Sequence, residues 1–163
     1  MIKRFFNRPI IIVCFIFYAL LTLLIFFFSL TDGKLSGEQS SFVWSIISTA
    51  FNINGNHEFL VRKLLGHFSV FIALAIFASV VYYRLVEIIF KTRITFYFTV
   101  FTLLAGLLTA IISEILQLPI FVNGRSAEIF DVLLDFFGYL LGFLIAFFIL
   151  PIIYRKKNSN IKV

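Results

Sequence analysis

The sequence predicts an all-α integral membrane protein, a four-helix bundle with both termini in the cytoplasm. Three observations carry that prediction: a strongly apolar composition, four uncharged stretches of membrane-crossing length, and an uneven distribution of lysine and arginine among the connections. Of the 163 residues, 61% are hydrophobic and 13% charged, with 24 phenylalanines and a mean hydropathy of +1.07. A soluble domain averages about 45–50% apolar and about 25% charged. A chain this apolar cannot coat a water-soluble globule with polar surface, and its wealth of bulky apolar side chains excludes disorder. Membrane β-strands need only about 9–11 residues and alternate in polarity, and no such alternation is present. Hydrocarbon demands that each backbone amide be bonded inside its own segment, which a helix achieves.

The first helix is predicted over 10–30, uncharged from Ile10 to Leu30 and close to the roughly 20 residues needed to cross a hydrocarbon core. Lys3, Arg4 and Arg8 precede it like the basic leader of a signal peptide. The apolar stretch nevertheless exceeds the about 7–15 residues of a signal core, and no Ala-x-Ala site follows. The connection 31–63 is read as an outward loop. It is polar from Thr31 to Ser41, carries an apolar patch with Trp44 from Phe42 to Phe51 that suits the membrane interface, and turns at Asn52 to Asn56.

The second helix is predicted over 64–83, with His67 near its start; the third over 94–114, ending on Ser113 and Glu114; the fourth over 131–154, beginning with Asp131 and Asp135. No internal repeat divides the chain, which is read as one domain over 1–163. Trp44, Tyr82, Tyr83 and Tyr154 sit where aromatic rings anchor a membrane interface.

Orientation follows from the basic residues. The leader, the second connection (Arg84, Lys91, Arg93) and the tail (Arg155, Lys156, Lys157, Lys162) are basic, whereas the first and third connections carry only Lys34, Arg62, Lys63 and Arg125. The positive-inside rule places the former group, and both termini, in the cytoplasm. Asp32, Glu38, Glu58, Glu114, Glu128, Asp131 and Asp135 then fall outward and Glu87 inward. The net charge of +6 and the pI near 9.7 are therefore topogenic, favouring anionic lipid headgroups, and no nucleic acid is expected as a partner. Cys14 is the single cysteine, so one chain offers neither a disulfide nor a cysteine zinc site.

This topology gathers ionisable groups from four distant pieces of chain at one depth. Helix two begins there with Arg62, Lys63 and His67; helix three arrives with Glu114 and Gln117; the following connection adds Arg125; and helix four departs with Asp131 and Asp135. Spacings of three and four put each helical pair on one face. Gly138, Gly142 and Ala146 continue the helix-four face, as Gly106 and Ala110 precede Glu114, and such small residues admit a neighbouring helix of the same chain.

A charge at the bilayer centre costs about 2.5–3.5 kcal/mol on insertion scales, less near the boundary. Singly, these groups suit interfacial roles: Asp131 complements a helix N-terminus, and Arg62 and Lys63 can snorkel. Together they point to a ligand site. His67 with Glu114 or Asp131 provides candidate acid–base chemistry, and the Arg125 guanidinium suits bidentate contact with phosphate or carboxylate. A metal held by His67, Glu114 and Asp131 has no ligand spacing within any one helix, so neither metal nor cofactor is expected. Ser69, Ser113 and Ser126 lack an elbow motif for a serine hydrolase, and His57 is expected to be exposed.

Glu114-Ile-Leu-Gln117, Gly124-Arg125 and Asp131-Val-Leu-Leu-Asp135-Phe-Phe-Gly138-Tyr-Leu-Leu-Gly142, with the upstream Arg62-Lys63-Leu-Leu-Gly-His67-Phe68, resemble in order the signature of the VanZ-like family, named for a glycopeptide (teicoplanin) resistance protein. The resemblance spans about Thr31 to Leu150. Asp135 stands where many members carry asparagine, and Pro119 lies earlier than the family's proline. The resemblance implies a small multi-pass protein of the bacterial cell membrane, associated in some members with reduced glycopeptide susceptibility, and nominates Arg62, Lys63, His67, Glu114, Gln117, Arg125, Asp131 and Asp135 as functional. The expected partner is a membrane lipid or lipid-linked cell-wall precursor. A membrane-embedded enzyme acting on a lipid-linked substrate is the alternative. A transporter fits least, because the middle and inner halves of the spans lack charge. The sequence leaves the oligomeric state open.

Overall fold

Hydrocarbon leaves a backbone no partner but itself, and helices run throughout the described chain. In the computed structural model, residues 9–51, 62–90 and 93–159 are described. They form α1 (Pro9–Ser29), α2 (Gly33–Phe51), a π-helical segment (Arg62–Ser69) continuous with α3 (Val70–Ile89), α4 (Ile94–Ile115) and α5 (Ile129–Ser159). No strand occurs among the described residues. Four of these helices are long and apolar enough to cross a membrane, over Pro9–Ser29, Gly66–Ile89, Ile94–Ile115 and Ile129–Leu150, as befits a multi-pass membrane protein. The basic leader, the Asn52–Asn56 turn, His57 and Lys91 lie outside the described residues.

Three elements differ in extent from the sequence expectation. The second span begins at Arg62 and runs to Ile89 rather than ending at Tyr83. Arg84 and Glu87 pair along its face at i,i+3, which lets charged residues extend the helix rather than end it. The last helix reaches Ser159; its 31 residues make a rod of about 46 Å at 1.5 Å per residue, longer than the roughly 30 Å hydrocarbon core. The connection read as loop contains α2. Its serines would favour turns if their hydroxyls competed for the backbone, but Ser40, Ser41 and Thr49 donate to the carbonyls of Ser36, Gly37 and Ser45, four residues back in each case. Asp32 Oδ1 accepts the Lys34 amide at 2.9 Å and caps the helix start.

α5 packs most extensively on α3 and next on α4. Its small residues explain the closeness. A Cβ on Gly138 would run into the Phe68 carbonyl and one on Gly142 into that of Ile72, so α5 crosses directly against neighbouring backbone. Gly106 of α4 leaves the space filled by the Tyr139 ring, which is fully buried. Around this contact lie Phe71, Leu74, Ala75 and Ala78 of α3, Phe98 and Ala110 of α4, and Phe143, Ala146 and Leu150 of α5. α1 is peripheral and presents Phe17, Leu23, Leu24 and Phe27 outward, a surface suited to acyl chains.

Candidate functional site

The polar ends of the helices meet at one end of the bundle. The π-helical start of the second span supplies the first pair of groups. Its widened turns, in which Ser69 Oγ reaches the Leu64 carbonyl five residues back at 2.6 Å, are a rare conformation that recurs at functional sites. Lys63, 3% exposed, donates to Glu128 Oε2 at 3.1 Å and to Asp131 Oδ1. One turn on, His67 Nδ1 lies 3.0 Å from Asp135 Oδ1, while its Nε2 stands 3.9 Å from Asp131 Oδ2. An ionised carboxylate only accepts. With Asp135 ionised, Nδ1–H is the donor of this bond, and Nε2 keeps its lone pair whenever the ring is neutral.

The end of α4 supplies the second pair. Glu114 and Gln117 are buried at 2% and 4% exposure. Gln117 Nε2 donates to Glu114 Oε1 at 2.6 Å, and the Glu128 amide donates to Glu114 Oε2 at 3.0 Å. One carboxylate thus ties the end of α4 to the start of α5. Between them the chain turns through Gly124, at φ +70°, a left-handed conformation natural to glycine. Gly33, at the start of α2, packs so closely on the Gly124 carbonyl that a Cβ would overlap it, and its amide donates to the Asn123 carbonyl at 3.1 Å. Arg125 Nη1 donates to the carbonyls of Phe28 at 2.7 Å and Thr31 at 3.4 Å. The guanidinium that the sequence offers to an anion therefore also closes the carbonyl end of α1.

Two adjoining cavities occupy this end. The larger, about 350 Å³, has apolar walls from Leu21, Leu24 and Phe28 of α1 with Val70 and Phe71 of α3, and polar lining from His67, Ser113, Gln117, Arg125 and Asp135; α2 adds Ser36, Gln39 and Ser40. The smaller, about 230 Å³, is bounded by Gly33, Ser36, Gln117, Gly124, Arg125, Ser126, Glu128 and Asp131. Ser36, Gln117 and Arg125 line both, so a polar compartment adjoins an apolar one.

Seven of the eight sequence-nominated residues come together here: Lys63, His67, Glu114, Gln117, Arg125, Asp131 and Asp135. The side chain of Arg62 lies outside the described residues. The pairing differs in detail from the expectation. His67 bonds to Asp135 rather than to either proposed acid–base partner, Asp131 is engaged by Lys63, and both Glu114 oxygens accept hydrogen bonds. Donor atoms of His67, Glu114 and Asp135 lie within 4.8 Å of one another, all on well-buried residues. Asp135 takes the position that Asp131 held in the donor set considered from sequence.

Sequence reasoning missed Glu128, Ser113 and the α2 serines. Ser36 and Ser40 at i,i+4 were a legible helical stripe, but nothing in composition says that α2 covers a cavity. The Gly33–Gly124 contact joins residues 91 positions apart and has no local signal.

The family model for VanZ/LLP1 matches residues 14–150, most of the chain. No curated protein and no solved structure matches it.

Proposed function

This chain belongs to the VanZ/LLP1 family, and on that premise we propose that its polar pocket faces outward from a bacterial cell membrane and holds the headgroup of a membrane lipid or lipid-linked cell-wall precursor. The observation that carries the reading is the joined cavity pair, polar toward Gln117, Arg125 and Glu128 and apolar toward Leu21, Leu24 and Phe28. Ligand pockets of this size combine apolar walls with a few convergent polar groups. An amphiphile matches that division, its headgroup meeting Gln117, Arg125 and His67 and its chain the face of α1. Occupancy of this kind changes what a glycopeptide antibiotic meets at the membrane surface and ties the protein to envelope homeostasis.

Native mass spectrometry of the purified protein, with a lipid-linked cell-wall precursor and with bilayer phospholipids, tests the reading. His67→Gln and Gln117→Leu are expected to weaken retention of one of these classes at least tenfold while leaving the protein folded. Equal retention by wild type and both variants rejects it. Orientation is tested separately. Ser126→Cys, in a Cys14→Ala background, is expected to react with a membrane-impermeant maleimide in intact cells, and reaction only after lysis puts the pocket on the inner side.

A second reading draws on the 3.0 Å contact between His67 and Asp135 beside the cavity. A histidine oriented by a carboxylate exchanges protons as a general acid or base, which suits an enzyme modifying a lipid-linked substrate. Lipid extracts from cells with the wild-type protein and with His67→Gln would then differ in a product resolved by mass spectrometry. Identical extracts dispose of this reading and leave the binding one standing.

A further inference from the structure

We propose that His67, Glu114 and Asp135 form a binding site for one divalent cation of the zinc or manganese class, open to the larger cavity. Three independent features point to it. The first is the donor set: one imidazole and two carboxylates, drawn from three separate helical segments, bring ligand atoms within 4.8 Å of each other. Imidazole suits zinc and carboxylate suits manganese, and both metals accept mixed N/O ligation. An ion about 2.0–2.2 Å from each donor in a tetrahedral arrangement holds any two of them about 3.3–3.6 Å apart. Donors already within 4.8 Å of one another close on it by moving together by about 1 Å.

The second is an orphaned atom. Asp135 is 0% exposed and lines the cavity, yet its Oδ2 accepts no hydrogen bond, the neighbouring Ser113 hydroxyl donating instead to the Ala110 carbonyl at 2.8 Å. A buried carboxylate oxygen without a donor carries the full cost of its lost hydration, and a cation removes that cost. Glu114 Oε1 and Oε2 each accept one hydrogen bond, and a carboxylate oxygen has two lone-pair directions, so each keeps one for a metal. These same bonds to Gln117 and to the Glu128 amide are outer-shell contacts of the kind that fix a ligand's orientation.

The third is charge. The buried carboxyl and basic side chains among the described residues are three carboxylates, Glu114, Asp131 and Asp135, and one ammonium, Lys63. Lys63 bonds to Asp131 and Glu128. A dipositive ion on the remaining donors balances Glu114 and Asp135. Three protein ligands leave a further coordination position, and the cavity beside His67 and Asp135 is where it opens. The site stands on its own donors. It also gives the headgroup reading a second positive centre besides Arg125, at the part of the cavity lined by His67 and Asp135.

The test uses the full-length protein in detergent micelles free of phospholipid, stripped with chelator and dialysed against Zn²⁺ or Mn²⁺ alone, with bound metal counted by elemental mass spectrometry. Wild type is expected to bind close to one ion per chain, saturably, and to unfold at a higher temperature with the metal than without it, since a ligand that binds only the folded state stabilises it. Asp135→Asn and His67→Gln are each expected to weaken binding at least tenfold and to lose the thermal shift. Glu38→Gln, an exposed carboxylate of α2 that lines neither cavity, is expected to keep both. Absence of saturable binding by wild type overturns the proposal, as does a full equivalent retained by both donor variants; if one donor variant fails to fold, the other decides. Because no lipid is present, a failure here leaves the headgroup reading intact, and metal binding without headgroup retention rejects that reading alone.

Discussion

At one end of the bundle Phe98 lies among the rings of Tyr83, Phe143 and Phe147, at centroid distances of 5.5, 5.5 and 6.4 Å; at the other, Glu114, Asp131 and Asp135 are buried beside Lys63. The aromatic end is held by burial of apolar area, which is non-directional and tolerates exchange among side chains of similar volume. The polar end is held by bonds of fixed partner and geometry, and every group in it costs free energy to bury unless bonded. A bundle selected for stability alone has no need of the second arrangement, since apolar replacements of buried ion pairs are often neutral or stabilising. The contrast places at the polar end a composition that packing does not account for.

The largest expected effects come from removing one anchor at each end. Lys63→Met strands the buried Asp131, and breaking a buried pair from one side costs about 3–5 kcal/mol. Phe98→Ala is expected to cost about the same, about 3–5 kcal/mol, through lost burial and a cavity. The ends are told apart by rescue. Adding Asp131→Leu to Lys63→Met is expected to restore most of the stability, because the stranded charge goes with it, whereas no polar substitution rescues Phe98→Ala. Reversible unfolding in mixed micelles measures all three. A cost for Lys63→Met below about 1 kcal/mol is the surface ion-pair value, and it would show that water reaches the pair and erase the contrast.

An intermediate effect lies where the two ends join. Gly138→Val thrusts a side chain at the Phe68 carbonyl, just beyond His67, and overpacking of this kind costs about 1–3 kcal/mol. Gly37, in α2, has nothing within 4 Å of the corresponding position. Gly37→Ala is therefore expected to stabilise, by about 0.5–1 kcal/mol, through helix propensity alone. Similar losses for both substitutions would mean that α5 and the second span are not in backbone contact.

The difference between the ends also decided what could be read from sequence. Uncharged runs such as Ile10 to Leu30 declare membrane helices because length and apolarity are local properties, and the i,i+4 pairs Lys63/His67 and Asp131/Asp135 declare a face because helical periodicity is local too. Their meeting followed from topology. Partner choice did not. Whether His67 bonds Asp131 or Asp135 depends on how the second span seats against α5, and the close approach of Gly138 to Phe68 that joins them is a tertiary contact. α2 was illegible for another reason. Its hydroxyls satisfy themselves on their own helix, and composition alone does not distinguish this from a polar loop. Arg125 read as an anion ligand because guanidinium chemistry is the same whether it meets a phosphate or the carbonyls of Phe28 and Thr31.

The smallest effect is expected one turn beyond Asp135, where the polar end gives way to the apolar core. Tyr139 is fully buried with its ring in the space left by Gly106, and its hydroxyl has no hydrogen-bond partner. Tyr139→Phe keeps the ring and removes only that oxygen. If the hydroxyl belongs to the packed core, its deletion relieves an unsatisfied polar group, and stability is expected to be unchanged or to rise by up to about 1 kcal/mol. Tyr139 lines neither cavity; if its hydroxyl is nevertheless bonded when the polar end is occupied, the substitution is expected to lower stability by about 1 kcal/mol, the worth of an ordinary hydrogen bond. Unfolding with and without added Zn²⁺ separates the cases: a loss seen only with metal extends the polar end to Tyr139, and no loss under either condition ends it at Asp135.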